Sequence, residues 1–198
     1  MIETVAELEA LYGTPAEASQ VKVAYEITPS YRRYIEAAPF VALATVGPEC
    51  TDCSPRGDSG QVVFIEDSHT LALPDWRGND RLDTLRNVVR DGRVSLMFIV
   101  PGSNTVVRAN GKAKICADAD MLTRFAKQGK QPRTVMLITI DELYFQCARA
   151  VMRADLWRND KAPDLPSAGD ILAEMTSGEF DGKTYDKTWP ERAAKTLW

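Results

Sequence analysis

Hydrophobic and polar positions along the chain follow two periods, and their alternation outlines the fold. Val5, Leu8, Leu11 and Tyr12 recur at helical spacing until Gly13-Thr14-Pro15. From Ala16 to Thr28 neither period prevails. Pro29 opens a second predicted helix, with Tyr31, Tyr34, Ile35 and Ala38 on one side and Arg32, Arg33 and Glu36 on the other. Pro39 closes it, because a residue before proline avoids the α region. Strand patterns follow. Phe40 to Val46 is apolar throughout and reads as a strand buried on both faces. Gly47-Pro48 turns the chain into a return strand from Cys50 to Pro55, and Arg56 to Gly60 reads as a loop before Val62-Val63-Phe64-Ile65. Thr70 to Leu73, Arg93 to Val100 and Thr134 to Ile140, with an extension towards Phe145, complete the short strands. Thr105 to Ile115 alternates most cleanly: Val107, Ala109, Gly111, Ala113 and Ile115 share one face, and Arg108, Asn110, Lys112 and Lys114 the other.

Between two of these strands lies a basic turn, Leu73-Pro74-Asp75-Trp76-Arg77-Gly78-Asn79-Asp80-Arg81, leading into a helix. Leu82, Leu85, Val88 and Val89 supply its apolar stripe, while Arg86, Asn87 and Arg90 fall on the other side; Asn79 is the expected N-cap and Asp91-Gly92 the end. Arg86 and Arg90 sit where a helix dipole favours cations. Arg77 and Arg81 flank the opposite end, an arrangement that invites a bound anion. Two arginines pointing into water is the competing reading, and this turn alone does not separate the two.

The last quarter reads as helical or irregular. Ahead of it, before the Thr134 strand, a short helix begins at Asp118 with Met121, Leu122 and Phe125; Ala148, Val151, Ala154 and Leu156 fit another that ends near Trp157. Asp160 to Pro166 is a linker. Ser167 with Asp170 forms a capping-box pattern before Ile171, Leu172 and Met175. The tail carries Phe180, Tyr185, Trp189 and Trp198, which predicts packing on its own barrel or on a second subunit. Six or seven strands joined by tight turns predict a mainly β domain over residues 1–198: an antiparallel barrel with peripheral helices.

Composition narrows the function classes. At 198 residues the chain suits one domain. A net charge of −4 and a pI near 5.2 argue against a nucleic-acid or membrane-surface role. No apolar run spans a bilayer and the N-terminus lacks a basic signal region, so we expect a cytoplasmic protein with reduced cysteines. Cys50-x-x-Cys53 lacks a second ligand pair for zinc and the helix N-terminus of a thioredoxin-type site, so it reads as two buried small apolar residues. His69, in a polar turn, is expected to be exposed, and with one histidine and no Gly-x-Ser-x-Gly motif a hydrolytic triad has nothing to stand on. There is no Gly-rich phosphate loop. Basic residues at strand ends and turns remain: Arg56, Arg77, Arg81 and Arg108.

Four motifs carry a resemblance: Ser54-Pro55-Arg56-Gly57-Asp58, Arg77-Gly78-Asn79-Asp80-Arg81-Leu82, Arg93-Val94-Ser95-Leu96-Met97-Phe98 and Arg108-Ala109-Asn110-Gly111-Lys112-Ala113. In this order they resemble the pyridoxamine 5′-phosphate oxidase-like family of FMN-binding split barrels, over roughly residues 30 to 160. Tyr144 to Ala150 with Leu156-Trp157 is similar to a less characterised branch. The resemblance implies a six- to seven-stranded antiparallel split β-barrel and a homodimer with two FMN molecules at its interface. By position, Ser54, Pro55 and Arg56 would lie along the flavin and Arg77, Asn79 and Arg81 would hold its phosphate. Lys130 and Pro132 would come from the partner subunit. It further implies an FMN-dependent oxidoreductase acting on a small molecule; a non-catalytic flavin binder or sensor, or a barrel using a deazaflavin or haem, is the alternative. The family enzyme's usual glutamine is Val106 here, and its Arg-Leu-containing terminal segment is replaced by Ala193 to Trp198, so pyridoxamine phosphate is not the expected substrate.

Overall fold

In the computed structural model, which describes residues 1–158 and 164–196, the described strands form one sheet of seven. They are β1 (Phe40–Val46), β2 (Thr51–Gly57), β3 (Phe64–Ile65), β4 (Thr70–Asp75), β5 (Arg93–Ile99), β6 (Val106–Cys116) and β7 (Thr134–Gln146). Their order is β2-β1-β5-β6-β7-β4-β3, and every neighbouring pair is antiparallel. The helices are α1 (Val5–Tyr12), α2 (Glu17–Val21), α3 (Pro29–Ala37), α4 (Asp83–Arg90), α5 (Ala119–Arg124), α6 (Arg149–Arg153), α7 (Ala168–Met175) and α8 (Gly182–Thr196).

Alternation decides which side chains enter the core. Val41, Leu43, Leu71, Leu96, Phe98, Val107, Ile138 and Leu143 are fully buried. Burying such a side chain contributes roughly 1.5–3 kcal/mol, so these positions fix the strand register. Ile35 and Ala38 bring α3 against this core, as the helical spacing after Pro29 predicts. Gly111 lets β6 and β7 approach: a Cβ there would lie 2.1 Å from the Thr139 carbonyl oxygen, and the register shifts between Asn110 and Gly111.

β2 and β3 end the sheet's order, so the barrel is split rather than closed by a ladder. A side chain bridges the gap. Arg56 of β2 donates from Nη1 to Asp75 Oδ1 of β4 at 2.8 Å. The fold is therefore the antiparallel split barrel expected from pattern and resemblance.

Several local expectations need correction. β1 is buried on one face only: Val41, Leu43 and Thr45 are inside, while Ala42, Ala44 and Val46 are partly exposed and Phe40 exposed. The strands either side of it supply hydrogen bonds, while its outer face stays partly open among the described residues. Arg56 and Gly57 belong to β2, not to a loop, and only Phe64–Ile65 of the next apolar run pairs as a strand. Asn79 is not the N-cap of α4. Leu82 holds that place in a left-handed conformation (φ 64°) without a side-chain cap. Asn87 is buried and Val89 exposed, because Asn87 Nδ2 finds Thr45 Oγ1 of β1 at 3.1 Å. Gly92, at φ 84°, ends the helix as expected. α6 stops at Arg153, short of Leu156, and the Trp157 indole N–H donates to the Ser103 carbonyl. The linker expected from Asp160 lies partly, and Trp198 wholly, outside the described residues.

Candidate functional site

The split in the barrel is a groove of about 760 Å³, the largest of three adjoining hollows. From β2 it receives Asp52, Ser54, Pro55 and Arg56; from the end of β4 and the following turn, Asp75, Trp76, Asn79 and Arg81; from α4, Asp83 and Thr84; and from the start of β7, Arg133 and Thr134. Strand geometry explains part of this. Asp52, Ser54 and Arg56 share one face of β2 at the two-residue period. Asp75 and Thr134 are register partners across β4 and β7, which places Arg133 at the same edge.

Three arginines line the groove, and each meets an aspartate. Arg56 pairs with Asp75, Arg81 Nε lies 2.5 Å from Asp83 Oδ2, and Arg133 Nη1 lies 2.5 Å from Asp80 Oδ1. The Arg81 guanidinium is held above its ordinary pKa by its hydrogen bond to Asp83. Exposure decides which pairs can yield to a ligand. The Arg81 and Arg133 pairs are solvated on both sides, and such pairs contribute about 0–1 kcal/mol, so a stronger anion displaces them cheaply. The Arg56 pair is more enclosed, with side chains 26% and 15% exposed. Burial pushes the Asp75 carboxyl above its ordinary pKa, against the pull of Arg56 and Arg133. Asp52 is held by hydroxyls: Thr84 Oγ1 donates to Asp52 Oδ2 at 2.5 Å and Ser54 Oγ to the same oxygen at 3.0 Å.

Two buried side-chain polar atoms lack a hydrogen-bond partner among the described residues, Arg56 Nε and Thr134 Oγ1. Both belong to residues lining this groove. Leaving a buried polar atom unsatisfied costs roughly 1–3 kcal/mol, so a ligand that answers either one gains by doing so.

The expected site residues divide between hollows. Ser54, Pro55, Arg56, Asn79 and Arg81 line the large groove. Arg77 lines the neighbouring hollow of about 540 Å³, which shares Pro55, Arg56, Trp76 and Gly78 with it. Lys130 and Pro132 line none of the three; Lys130 is exposed and Pro132 buried in the stretch leading to β7. Reading motifs alone misses Asp52, Trp76, Thr84, Arg133 and Thr134. Trp76 lines all three hollows. The usable signal for Asp52 was its two-residue spacing from Ser54 and Arg56; Thr84 and Thr134 gave none, since only tertiary contact places them here. Arg108 lies elsewhere, stacked over Tyr144.

Cys50 and Cys53 are both exposed, which corrects the expectation of two buried residues. Cys53 faces outward from β2, on the face opposite Asp52 and Ser54, and Cys50 sits in the turn before it. No group of three potential metal ligands occurs among the described residues. His69 is exposed, as expected, its backbone N–H donating to Asp67. Among the described residues no helix is long and apolar enough to cross a membrane.

The family model described as pyridoxamine 5′-phosphate oxidase matches residues 27–147, which span the whole barrel from before α3 to the end of β7. The chain belongs to the pyridoxamine 5′-phosphate oxidase family. Solved structures agree on the fold. A HupZ variant from Group A Streptococcus is 17% identical with a TM-score of 0.50, covering 61% of this chain and 99% of that one. A candidate pyridoxamine 5′-phosphate oxidase from Lactobacillus delbrueckii is 20% identical with a TM-score of 0.50, covering 61% and 95%. A search of curated proteins gives no match. The family match at residues 27–147 ends before α7 and α8 and begins after α1.

Proposed function

We propose that the large groove binds FMN, that two such sites form at the interface of a homodimer, and that the protein is an oxidoreductase acting on a small molecule. One observation carries the cofactor reading. The two unpartnered buried polar atoms, on Arg56 and Thr134, both line the groove that the barrel's split creates. A flavin offers ring oxygens and nitrogens to such groups and a phosphate to solvated arginines. Ser54, Pro55 and Arg56 would hold the ring. Arg77, Asn79 and Arg81 would hold the phosphate, and Arg133 joins them as a cation that can exchange Asp80 for it. Lys130 and Pro132 would approach from the partner subunit. The bound flavin would supply the redox chemistry. Asp52, fixed by Ser54 and Thr84, sets a negative charge beside the flavin site, and the enclosed Arg56–Asp75 pair keeps β2 and β4 in place around it.

The outer face of the sheet supports the homodimer. Register places Pro55, Ala42, Met97, Arg108 and Tyr144 in one row across β2, β1, β5, β6 and β7. Phe40 and Met97 are each 39% exposed there, beside the small Ala42 and Ala44, so a second sheet can approach closely. The purified protein's absorbance spectrum tests the cofactor and separates flavin from deazaflavin and haem. Steady-state turnover with NADH or NADPH and an electron acceptor then separates an oxidoreductase from a flavin binder, which reduces its flavin slowly or not at all.

A further inference from the structure

The two ends of the chain carry apolar helices that its own barrel leaves uncovered. No residue of α1 is buried. Its stripe, Val5, Leu8, Leu11 and Tyr12, is between 43% and 80% exposed. Yet α1 is a well-made helix, with a complete capping box between Thr4 and Glu7. At the other end α7 and α8 form an ordered hairpin. Ser167 starts α7 with its own capping box, its hydroxyl also donates to Asp186 of α8, and the Gly169 N–H donates to the same carboxylate. Gly169 and Gly182 cross so closely that a Cβ on either would fall about 2 Å from the other's carbonyl oxygen. The hairpin still leaves Ile171, Met175, Phe180 and Trp189 exposed. Phe180 meets Tyr185 edge to face, Tyr185 stacks on Trp189, and the Arg192 guanidinium lies over both Tyr185 and Trp189.

Charge chooses the occupant. Residues 1–21 contain Glu3, Glu7, Glu9 and Glu17 and no lysine or arginine. α8 contains Lys183, Lys187, Arg192 and Lys195 against two carboxylates, Asp186, held by α7, and Glu191, paired with Lys195, so the helix carries an excess of positive charge. An acidic helix with an exposed apolar stripe and a basic hairpin with exposed aromatics are thus presented by the same chain. We propose that α1 of one copy docks on the α7–α8 hairpin of a second copy, its apolar stripe against Trp189 and Phe180 and its glutamates towards the α8 cations. Two such contacts form in a symmetric pair, because each copy offers one helix and one hairpin. The exchange would add to the sheet-face interface proposed above and is read independently of flavin.

The test uses the full chain with p-benzoylphenylalanine in place of Leu8, mixed with a differently tagged copy, irradiated and mapped by mass spectrometry. The expected product joins the two tags, with the first fifteen residues linked to a peptide within 179–196. Reversing the cations with Lys183→Glu/Lys187→Glu should lower its yield about fivefold, and adding Glu3→Lys/Glu9→Lys should restore it. All four positions are exposed, so folding is not at stake. A cross-link within one chain, a cross-link to barrel peptides, no cross-link, or a yield indifferent to charge reversal would each overturn the proposal.

Discussion

Thr134→Val separates the groove's two energetic roles, because the change should strengthen the empty protein and weaken its complex. Thr134 Oγ1 is buried and has no hydrogen-bond partner among the described residues. Desolvating such a hydroxyl without compensation costs roughly 1–3 kcal/mol, and valine keeps the shape while removing the polar atom. The position opens β7 opposite Asp75, where a β-branched residue fits a strand. Taking the lower end of that range, the variant gains about 1 kcal/mol, or about 2–4 °C in Tm for a chain of this size. If the hydroxyl meets FMN, the variant loses one neutral hydrogen bond, about 0.5–1.5 kcal/mol, so the dissociation constant rises about two- to twelvefold. Thermal unfolding of flavin-free protein and FMN titration by flavin fluorescence read the two effects separately. A less stable empty variant would mean that the hydroxyl has a partner inside the fold. An unchanged FMN affinity would mean that the hydroxyl does not reach the ligand.

Arg81→Ala should weaken FMN binding by about ten- to a hundredfold and leave riboflavin almost unchanged, as titration of both flavins would show; equal losses would place the phosphate elsewhere. Its effect on the empty protein should be small, since its partner Asp83 is solvated and the pair is exposed. The raised Asp75 pKa implies a signed pH dependence: its contribution to stability is present below the unfolded carboxylate pKa and lost as pH rises through the higher folded value. Wild type should therefore lose ground relative to Asp75→Asn across that window in parallel thermal melts, and a constant difference would contradict the burial argument. Cys50→Ser/Cys53→Ser should keep flavin turnover and change stability by less than about 0.5 kcal/mol, because both thiols are exposed. Gly111→Ala should destabilise the barrel by about 1–3 kcal/mol in denaturant unfolding, because its Cβ meets the Thr139 backbone.

What the sequence made legible follows from how local each cause is. The alternation in β6 showed its inward face, since period two needs only the strand itself. Gly92 and Ser167 marked helix ends, because caps are settled within a few residues. Non-local causes stayed hidden. Asn87 looked like a solvent-side residue until Thr45, forty-two positions away, supplied its hydrogen bond. The outer face of β1 looked like core because its residues are apolar, but burial there needs a covering layer that the described residues do not supply. The candidate groove was half visible. Ser54, Arg56 and Arg81 announced themselves in motifs, whereas Thr84, Arg133 and Thr134 arrive from α4 and β7 only once the sheet order is known. Asp83 stands two residues from Arg81, but nothing in the linear pattern paired Arg133 with Asp80 or Arg56 with Asp75 across the split.

The central claim is that the split between β2 and β4 is a flavin site. Titrating FMN into flavin-free wild type and Arg56→Met, with tryptophan and flavin fluorescence read together, tests it most directly. The account predicts one FMN per chain in wild type, with flavin fluorescence quenched on binding, and a marked loss of affinity in Arg56→Met for FMN and riboflavin alike, because the proposal puts Arg56 on the ring side. Saturable FMN binding of equal strength in both proteins would contradict it, as would wild type that takes up no flavin.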